Sequence, residues 1–474
     1  MREKINKNII LLLLSLTMFL VVLDSAIVNV ALPAIKTSLG FDDASLQWVL
    51  TAYIIAFGGF LMLGGRTADL FGRRKVLTYG IFGFTISSLL IGLSQSSEMM
   101  VIMRAFQGLS AAFMAPTALS ILLTTFEEGH ERNKALSIWG LVASGGAASG
   151  VFLGGVLTQF LGWEWCFFVN VPVGFLAIYG INKYIPAHAK ESKNKNLDIP
   201  GAILITLGLI SLVYSLTLAS EAGWTDAGTL TWLGTSILLL SVFIFNETKA
   251  SHPLVPLGIF KNRNLSGGNL IMLPIVAGAL GQFFFLTLYI QNILQYSPVI
   301  TGLSFLPVPL IIGTLSYNAP KLMQRFNVKH LLVTGTICVT FGVFLFSFLT
   351  ENSSYWTHLL PAFIIMAFGF GLSFVSITVA ATNGIPPHEA GLASGLLNTS
   401  QQVGGALGLA VLSVVAHNVT AGALAAGQTV EAANLLGYQR VFLTASSMML
   451  LSIIIAIFVI QTPKKVTAKP TAVH

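Results

Sequence analysis

Long apolar segments follow one another through almost the whole chain, and they constrain its fold more than any other feature. Hydrophobic residues make up 54% of the 474 residues and charged residues only 9%, whereas about a quarter of the residues in a soluble domain are charged. In lipid, backbone polar groups are satisfied only in helices or in closed barrels. Because a spanning helix needs about 20 apolar residues, we predict an all-α polytopic membrane protein.

The same length criterion predicts fourteen spans. They are placed at residues 8–31, 45–64, 76–94, 99–123, 134–158, 164–183, 199–219, 228–245, 268–292, 299–318, 330–350, 357–381, 390–416 and 438–461. The seventh and eighth segments are the weakest, and a single hairpin at altered depth is the alternative for them. We predict three units, which are an N-terminal six-helix half, a linker with two additional helices, and a C-terminal six-helix half: 1–183, 184–267 and 268–474.

The positively charged residues predict how the spans are oriented. With the N-terminus in the cytoplasm, 22 of the 25 Lys and Arg residues fall on the cytoplasmic side, Lys36 and Arg440 fall outside, and Arg104 lies within a span. One span more or fewer in the middle would destroy this asymmetry. We therefore predict a multi-pass protein of the cell membrane with both termini in the cytoplasm. The formal charge of +7 is then explained without a nucleic-acid partner.

Asp24 interrupts an apolar run that begins at Ile9. An aspartate near the bilayer centre costs about 2.5–3.5 kcal/mol on insertion scales, so such a residue is expected to be functional. At a rise of about 1.5 Å per residue, Asp24 lies about 12 Å before Leu32, and Arg104 lies about 9 Å after Glu98. We therefore place both in the outer half at a similar height, where Arg104 would line a cavity and influence protonation of the acid. The alternative is an arginine that snorkels to the outer interface.

The loop after the second span combines two glycines, an acid and several cations. Gly65 and Gly72 permit a tight turn, and Asp69 lies among cations that include Arg73 and Arg74. An acid in this setting is able to exchange partners between two conformations, so we predict a cytoplasmic gating loop. Simple anchoring of the basic residues at the membrane surface is the alternative.

Small residues form one face of the fifth span at Gly146, Gly150 and Gly154, followed by Gly155. Such stripes let helix backbones approach closely, and packing alone is enough to explain this one. Polar residues inside other spans are candidates for lining a substrate pocket. They are Asn29, Gln107, Gln282, Asn398 and Gln401.

The sequence argues against a membrane-embedded enzyme. Its eight histidines are scattered singly over loops and helix ends, and Cys166 and Cys338 lie inside apolar segments. These are not metal-ligand spacings, and no phosphate-binding loop of the P-loop type is present. We predict no metal, no cofactor and no direct use of ATP.

Several motifs together resemble one branch of a known family. Leu23-Asp24-x-x-Ile27-Val28-Asn29-Val30-Ala31-Leu32-Pro33 resembles the first-span signature of the fourteen-span drug:proton antiporters (QacA/EmrB-like) of the major facilitator superfamily. Gly65-x-x-x-Asp69-x-x-Gly72-Arg73-Arg74 resembles the superfamily's loop signature. The fifth-span glycines resemble its antiporter motif, although Val151 stands where that motif normally has proline.

The resemblance implies a major facilitator fold with two extra central helices. It also implies proton-coupled antiport of amphipathic small molecules, such as drugs or antiseptics, by a monomer in the lipid bilayer. Two alternatives stay open, because fold does not determine function. One is an exporter of a single antibiotic, metabolite or lipid that need not use protons, and the other is a uniporter or sensor. The late spans offer only Glu389 as a further acid, which argues against strong dication transport.

Overall fold

The computed structural model describes residues 7–42, 45–127, 130–186, 198–250, 253–382, 385 and 390–461. Every regular element in these ranges is helical. Thirteen helical segments within them are long and apolar enough to cross a membrane, and each corresponds to a predicted span. The remaining prediction, 134–158, falls within a helix of 31 residues. The all-α polytopic architecture is thereby confirmed.

Among the residues described, seven α-helices precede the predicted linker. They are α1 (Lys7–Leu39), α2 (Trp48–Phe71), α3 (Arg73–Gly92), α4 (Ser97–Thr125), α5 (His130–Phe160), α6 (Trp165–Phe168) and α7 (Asn170–Tyr184). The prediction of 8–31 for the first span was too short, because the helix continues through Pro33 and buries Ile35 beyond it. Asp24 therefore lies near the middle of α1 and not in its outer part.

The middle of the chain forms two separate helices, α8 (Ile199–Glu221) and α9 (Ala227–Lys249), each of 23 residues. A short 3₁₀ helix, Leu257–Lys261, follows in the segment predicted to lie along the membrane surface. Residues 187–197, most of the predicted solvated linker, lie outside the described residues.

The rest of the chain again supplies seven α-helices among the described residues. They are α10 (Arg263–Leu288), α11 (Pro298–Phe305), α12 (Pro307–Arg325), α13 (Val328–Leu345), α14 (Leu360–Thr382), α15 (Ala390–Ala425) and α16 (Val430–Phe458). One turn of π-helix, Tyr289–Ile293, extends α10.

The helices pack as two groups that meet along a few contacts. In the first group α1 packs along α5 and α2 along α4, and in the second group α10 packs against α15 and α16. The groups meet where α2 contacts α15 and where α5 contacts α11, and α8 lies against both α2 and α15 with α9 behind it. We call the face at which α1 begins the N-terminal face and the other the far face. The domain boundaries stay a prediction.

Candidate functional site

A buried ion pair joins α1 to α4. Nη1 of Arg104 lies 2.6 Å from Oδ2 of Asp24, and the two side chains are 1% and 0% exposed. The same nitrogen donates to Oε1 of Gln107 at 2.5 Å, which is one turn away on the same helix face. The expectation that Asp24 and Arg104 lie at one height agrees with this contact.

Neutral donors satisfy the other oxygen of Asp24. Its Oδ1 accepts hydrogen bonds from Nε2 of Gln107 at 2.8 Å and from Nδ2 of Asn170 at 3.0 Å. Gln107 Nε2 also lies 2.7 Å from the hydroxyl of Ser88. The carboxylate thus has three donors, all from buried side chains. Removing one partner from such a buried pair leaves an uncompensated charge, at a cost of about 3–5 kcal/mol.

The glycine stripe of α5 packs against α1 on both sides of Asp24. A methyl group at Gly150 would lie 2.7 Å from Cβ of Ala26 and 2.9 Å from the carbonyl oxygen of Leu23. A methyl group at Gly154 would lie 2.6 Å from the carbonyl oxygen of Ile27. Gly146 contacts the same helix one turn earlier. Because any side chain would hold the two backbones apart, these glycines allow α5 to approach the helix that carries the acid.

A large cavity, the central cavity, lies between the two helix groups. Its volume is about 1520 Å³, above the range of about 300–1,000 Å³ typical of ligand pockets. Aromatic and methionine side chains supply much of its apolar wall: Met18, Tyr53, Phe57, Met62 and Trp139. Amide, hydroxyl and guanidinium groups interrupt that wall: Ser25, Asn29, Arg66, Arg104, Asn398, Gln401 and Gln402.

Arg104 and Tyr53 separate Asp24 from the central cavity. Both line the cavity, whereas Asp24 is absent from its described lining. The guanidinium carbon lies 4.4 Å from the centroid of the Tyr53 ring, a cation–π distance, and Nε donates to the carbonyl oxygen of Val49 at 2.8 Å. Arg104 therefore contacts both the acid and the cavity.

The five residues proposed to line a pocket have different surroundings. Asn29, Asn398 and Gln401 line the central cavity, but Gln107 and Gln282 do not. Gln107 instead belongs to the buried network around the acid. Gln282 is fully buried, and neither its Nε2 nor its Oε1 has a hydrogen-bond partner. Polarity within a span does not determine which way a side chain faces.

The central cavity opens toward the N-terminal face. Residues near the N-terminal-face ends of α2, α4 and α15 line it, including Leu70, Thr124 and Leu392. At the far face the two helix groups are in contact. Nε2 of Gln291 donates to the carbonyl oxygen of Val30 at 2.9 Å.

The end of α5 contributes to this closed contact at the far face. A methyl group at Gly155 would lie 2.9 Å from Cα of Val299. A methyl group at Gly302 would lie 2.5 Å from the carbonyl oxygen of Val151, the residue that stands where the antiporter motif has proline. Gly155 and Gly302 therefore permit close backbone contact between α5 and α11.

The predicted gating loop joins α2 to α3, and its arginines contact α4 and the residue that follows α7. Gly72 has φ of +96°, which explains the need for glycine at this turn. Nη1 of Arg73 donates to Oγ1 of Thr124 in α4, and Nη1 of Arg74 donates to the carbonyl oxygen of Ile185. The side chain of Asp69 lies outside the described residues, so its partners stay a prediction.

Sequence reasoning did not single out Tyr53 or Ser88. A tyrosine inside an apolar span offered a signal for Tyr53, but nothing distinguished Ser88 from other serines in the spans. Among the described residues, no group of three or more His, Cys, Asp or Glu side chains is arranged to hold a metal ion.

The sequence profile of the Major Facilitator Superfamily matches residues 14–409. The chain belongs to this superfamily. It is 42% identical over 422 residues to the puromycin resistance protein pur8 of Streptomyces alboniger, covering 88% of this chain and 83% of that protein. It is 39% identical over 407 residues to the cephamycin export protein CmcT of Amycolatopsis lactamdurans, covering 85% and 84%. The resemblance to drug-exporting facilitators is confirmed.

Solved structures share the fold of this chain. The nucleoside transporter NupG has a TM-score of 0.68 at 13% identity and covers 94% of this chain and 99% of its own. An inward-facing, occupied bacterial homologue of the lysosomal transporter Spinster has a TM-score of 0.69 at 15% identity, covering 96% and 97%. This facilitator is thus a multi-pass membrane transporter and not an enzyme.

Proposed function

We propose that this facilitator exports amphipathic small molecules in exchange for protons, by alternating access. The observation that carries the proposal is the position of Asp24, a buried carboxylate separated from a large cavity by one arginine and one tyrosine. A group in this position is able to take up a proton in one conformation and lose it in the other. Two relatives are a puromycin resistance protein and a cephamycin export protein, which supports export.

The conformation described fits the substrate-accepting stage of such a cycle. The cavity is open at the N-terminal face, which the positive-inside pattern places in the cytoplasm. Asp24 has both oxygens paired, as expected once its proton has left. When a proton binds, the charge on the acid disappears, the attraction to Arg104 is lost, and the contacts around α1 and α4 are free to rearrange.

The wall of the central cavity suits an amphipathic substrate. Tyr53, Phe57 and Trp139 offer flat apolar surfaces. The side-chain amides of Asn398 and Gln401 also line the cavity. We propose that such amide groups bind the polar part of the substrate while the rings cover its apolar part. We also propose that the transporter is a monomer in the cell membrane with both termini in the cytoplasm.

Transport in proteoliposomes tests the proton coupling. With an imposed pH gradient and no nucleotide, the purified protein should move a fluorescent amphipathic dye, and an uncoupler should stop that movement. Asp24→Asn should abolish gradient-driven transport, because the carboxamide cannot bind and release the proton, while Asp42→Asn on an exposed loop should not. Transport that is unaffected by the uncoupler, or that persists in the Asp24→Asn protein, would contradict the proposal.

A further inference from the structure

The α8–α9 hairpin brings two carboxyl groups together at the N-terminal face, far along the chain from Asp24. Asp198 caps the start of α8, and Glu247 lies in the last turn of α9. Their side chains belong to residues that are 7% and 4% exposed. Carboxyl groups are seldom buried to this extent unless they are paired, so their partners decide what they do.

Neutral groups supply the hydrogen bonds to this pair. Oδ1 of Asp198 accepts from the backbone N–H of Gly201 at 2.8 Å, and Nδ2 of Asn246 lies 2.9 Å from both oxygens of Asp198. Oε2 of Glu247 accepts from the backbone N–H of Val255 at 2.7 Å. Oε1 of Glu247 is buried and has no donor. An unpartnered carboxylate oxygen in a buried site is strongly unfavourable.

The unpartnered oxygen lies beside the other acid. A methyl group built on Gly201 would lie 2.7 Å from Oδ2 of Asp198 and 2.7 Å from Oε1 of Glu247, so these two atoms border the same small volume. The carboxyl group of Asp198 is close enough to Glu247 to act on it electrostatically. Two carboxylates at this separation repel, and a proton on one of them turns that repulsion into a hydrogen bond.

The elements packed around the pair bring apolar groups. Ala202 of α8 and Leu254, which follow the two acids along the chain, pack with Phe60 and Leu63 of α2. Nζ of Lys249 lies 5.9 Å from the centroid of the Phe245 ring on its own helix. Among the described residues, the charged group that acts on Glu247 is therefore Asp198 of α8.

We propose that Asp198 and Glu247 share one proton and form a second proton-binding site, separate from Asp24. The proton resides on Oε1 of Glu247 and is donated to Oδ2 of Asp198, while Oε2 continues to accept from Val255. With the proton in place, each carboxyl oxygen of Glu247 has a hydrogen-bond partner. This inference does not depend on the direction or the substrate of transport.

The shared proton also stabilises segment 253–256, which forms part of the wall of the central cavity. The backbone N–H of Val255 donates a hydrogen bond to Glu247, and Leu254 packs against Leu63 and Ala202. Pro253, Leu254 and Pro256 line the cavity near its opening. Loss of the proton puts a second negative charge beside Asp198 and pushes Glu247 away. We therefore expect segment 253–256 to be fixed at acidic pH and released from its place as the pH rises.

Infrared spectroscopy tests the proton directly. The purified Asp24→Asn protein should show the carbonyl stretch of a protonated carboxylic acid at neutral pH, and adding Glu247→Gln should remove the part that the pair contributes. Asp198→Asn provides a second variant, because asparagine keeps the cap on Gly201 and is able to donate to Glu247 without a shared proton. A band whose area is unchanged by both substitutions would overturn the proposal.

Thiol labelling tests the movement of the segment. Leu257→Cys reports on segment 253–256 from an exposed position, and Phe326→Cys serves as an exposed reference on another loop of the same face, both in a Cys338→Ala background. The ratio of their labelling rates should rise with pH in the otherwise native chain. It should stay constant in Glu247→Gln, whose carboxamide accepts from Val255 and donates to Asp198 at every pH. A ratio independent of pH in both proteins would contradict the proposed release of segment 253–256.

Discussion

At the scale of single residues, the central polar side chains of the two helix groups differ in their hydrogen bonding. The carboxyl group of Asp24 in α1 has a donor for each oxygen, from Arg104, Gln107 and Asn170. Gln282 in α10, the first helix of the other group, is equally buried and has no partner. A buried carboxylate needs hydrogen-bond donors around it, whereas a buried neutral amide without partners lowers the stability of the fold only moderately. Of the two groups, the one that contains α1 is therefore expected to bind the proton that drives transport.

The unpartnered amide of Gln282 leads to a stability prediction. Replacing it by methionine, a side chain of similar length without amide groups, should stabilise the protein by about 1–3 kcal/mol, the desolvation cost of an unsatisfied polar group. The measurement is thermal unfolding of the purified protein in detergent, with gradient-driven transport assayed in parallel. Asn398→Leu, at an exposed position lining the cavity, is the matched control and should alter transport without raising the melting temperature. A lower melting temperature for Gln282→Met would show that the amide has a partner.

At the scale of elements, α5 contacts both the proton site and the other helix group. Gly150 and Gly154 face α1 around Asp24, and Gly155 faces α11 at the far-face contact. The antiporter motif lacks its proline here, so no proline removes a backbone hydrogen bond or bends the helix at Val151. The close approach instead rests on glycines in both partners, Gly155 and Gly302. A shift of α5 against α1 therefore necessarily changes its fit against α11.

Gly155→Val should prevent closure at the far face. The added side chain meets Val299, and overpacking of this kind costs about 1–3 kcal/mol. Since about 1.4 kcal/mol corresponds to a tenfold change in an equilibrium, the conformation closed at the far face should lose about tenfold or more in population. The measurements are gradient-driven transport and labelling of a cavity cysteine from the far face.

Gly145→Val controls for the effect of valine on the helix itself. It adds the same side chain to α5 at a position where a methyl group meets no atom within 4 Å. Transport should survive this change. Equal loss of transport in both variants would mean that helix propensity, and not the contact with α11, explains the Gly155→Val result.

At the scale of the whole molecule, one large cavity and one closed contact define the conformation. The cavity reaches the N-terminal face, and the far face is held by contacts such as that between Gln291 and Val30. The α8–α9 hairpin lies beside α2 and α15, the two helices that carry part of the cavity wall from different groups. The hairpin is thus placed to respond when the two groups move relative to each other.

Accessibility from the two sides of the membrane tests both the orientation and the open face. Ser120→Cys, which lines the cavity near the N-terminal face, should react with a membrane-impermeant maleimide in inverted vesicles and be protected in intact cells. Leu93→Cys, exposed just after α3 at the far face, should show the reverse pattern. Reaction of Ser120→Cys in intact cells at the rate seen in inverted vesicles would contradict the predicted orientation or the closed far face.

The sequence by itself determined the helical architecture, the approximate positions of thirteen spans, and the similar height of Asp24 and Arg104. It was able to do so because lipid leaves a backbone little choice but the helix, and because a charge inside such a helix demands a partner at its own depth. The extension of α1 through Pro33 was missed, since proline is a weak stop signal when apolar residues continue beyond it.

Only the tertiary structure decided which polar side chains face the cavity. Asn29, Asn398 and Gln401 do, whereas Gln107 and Gln282 are buried within their own groups. Spanning helices are apolar on nearly every side, so their sequence holds little information about rotation around the helix axis, which neighbouring helices set. For the same reason the sequence did not reveal that Asp198 and Glu247, 49 positions apart, meet at one end of a hairpin. Their contact depends on how α8 and α9 pack.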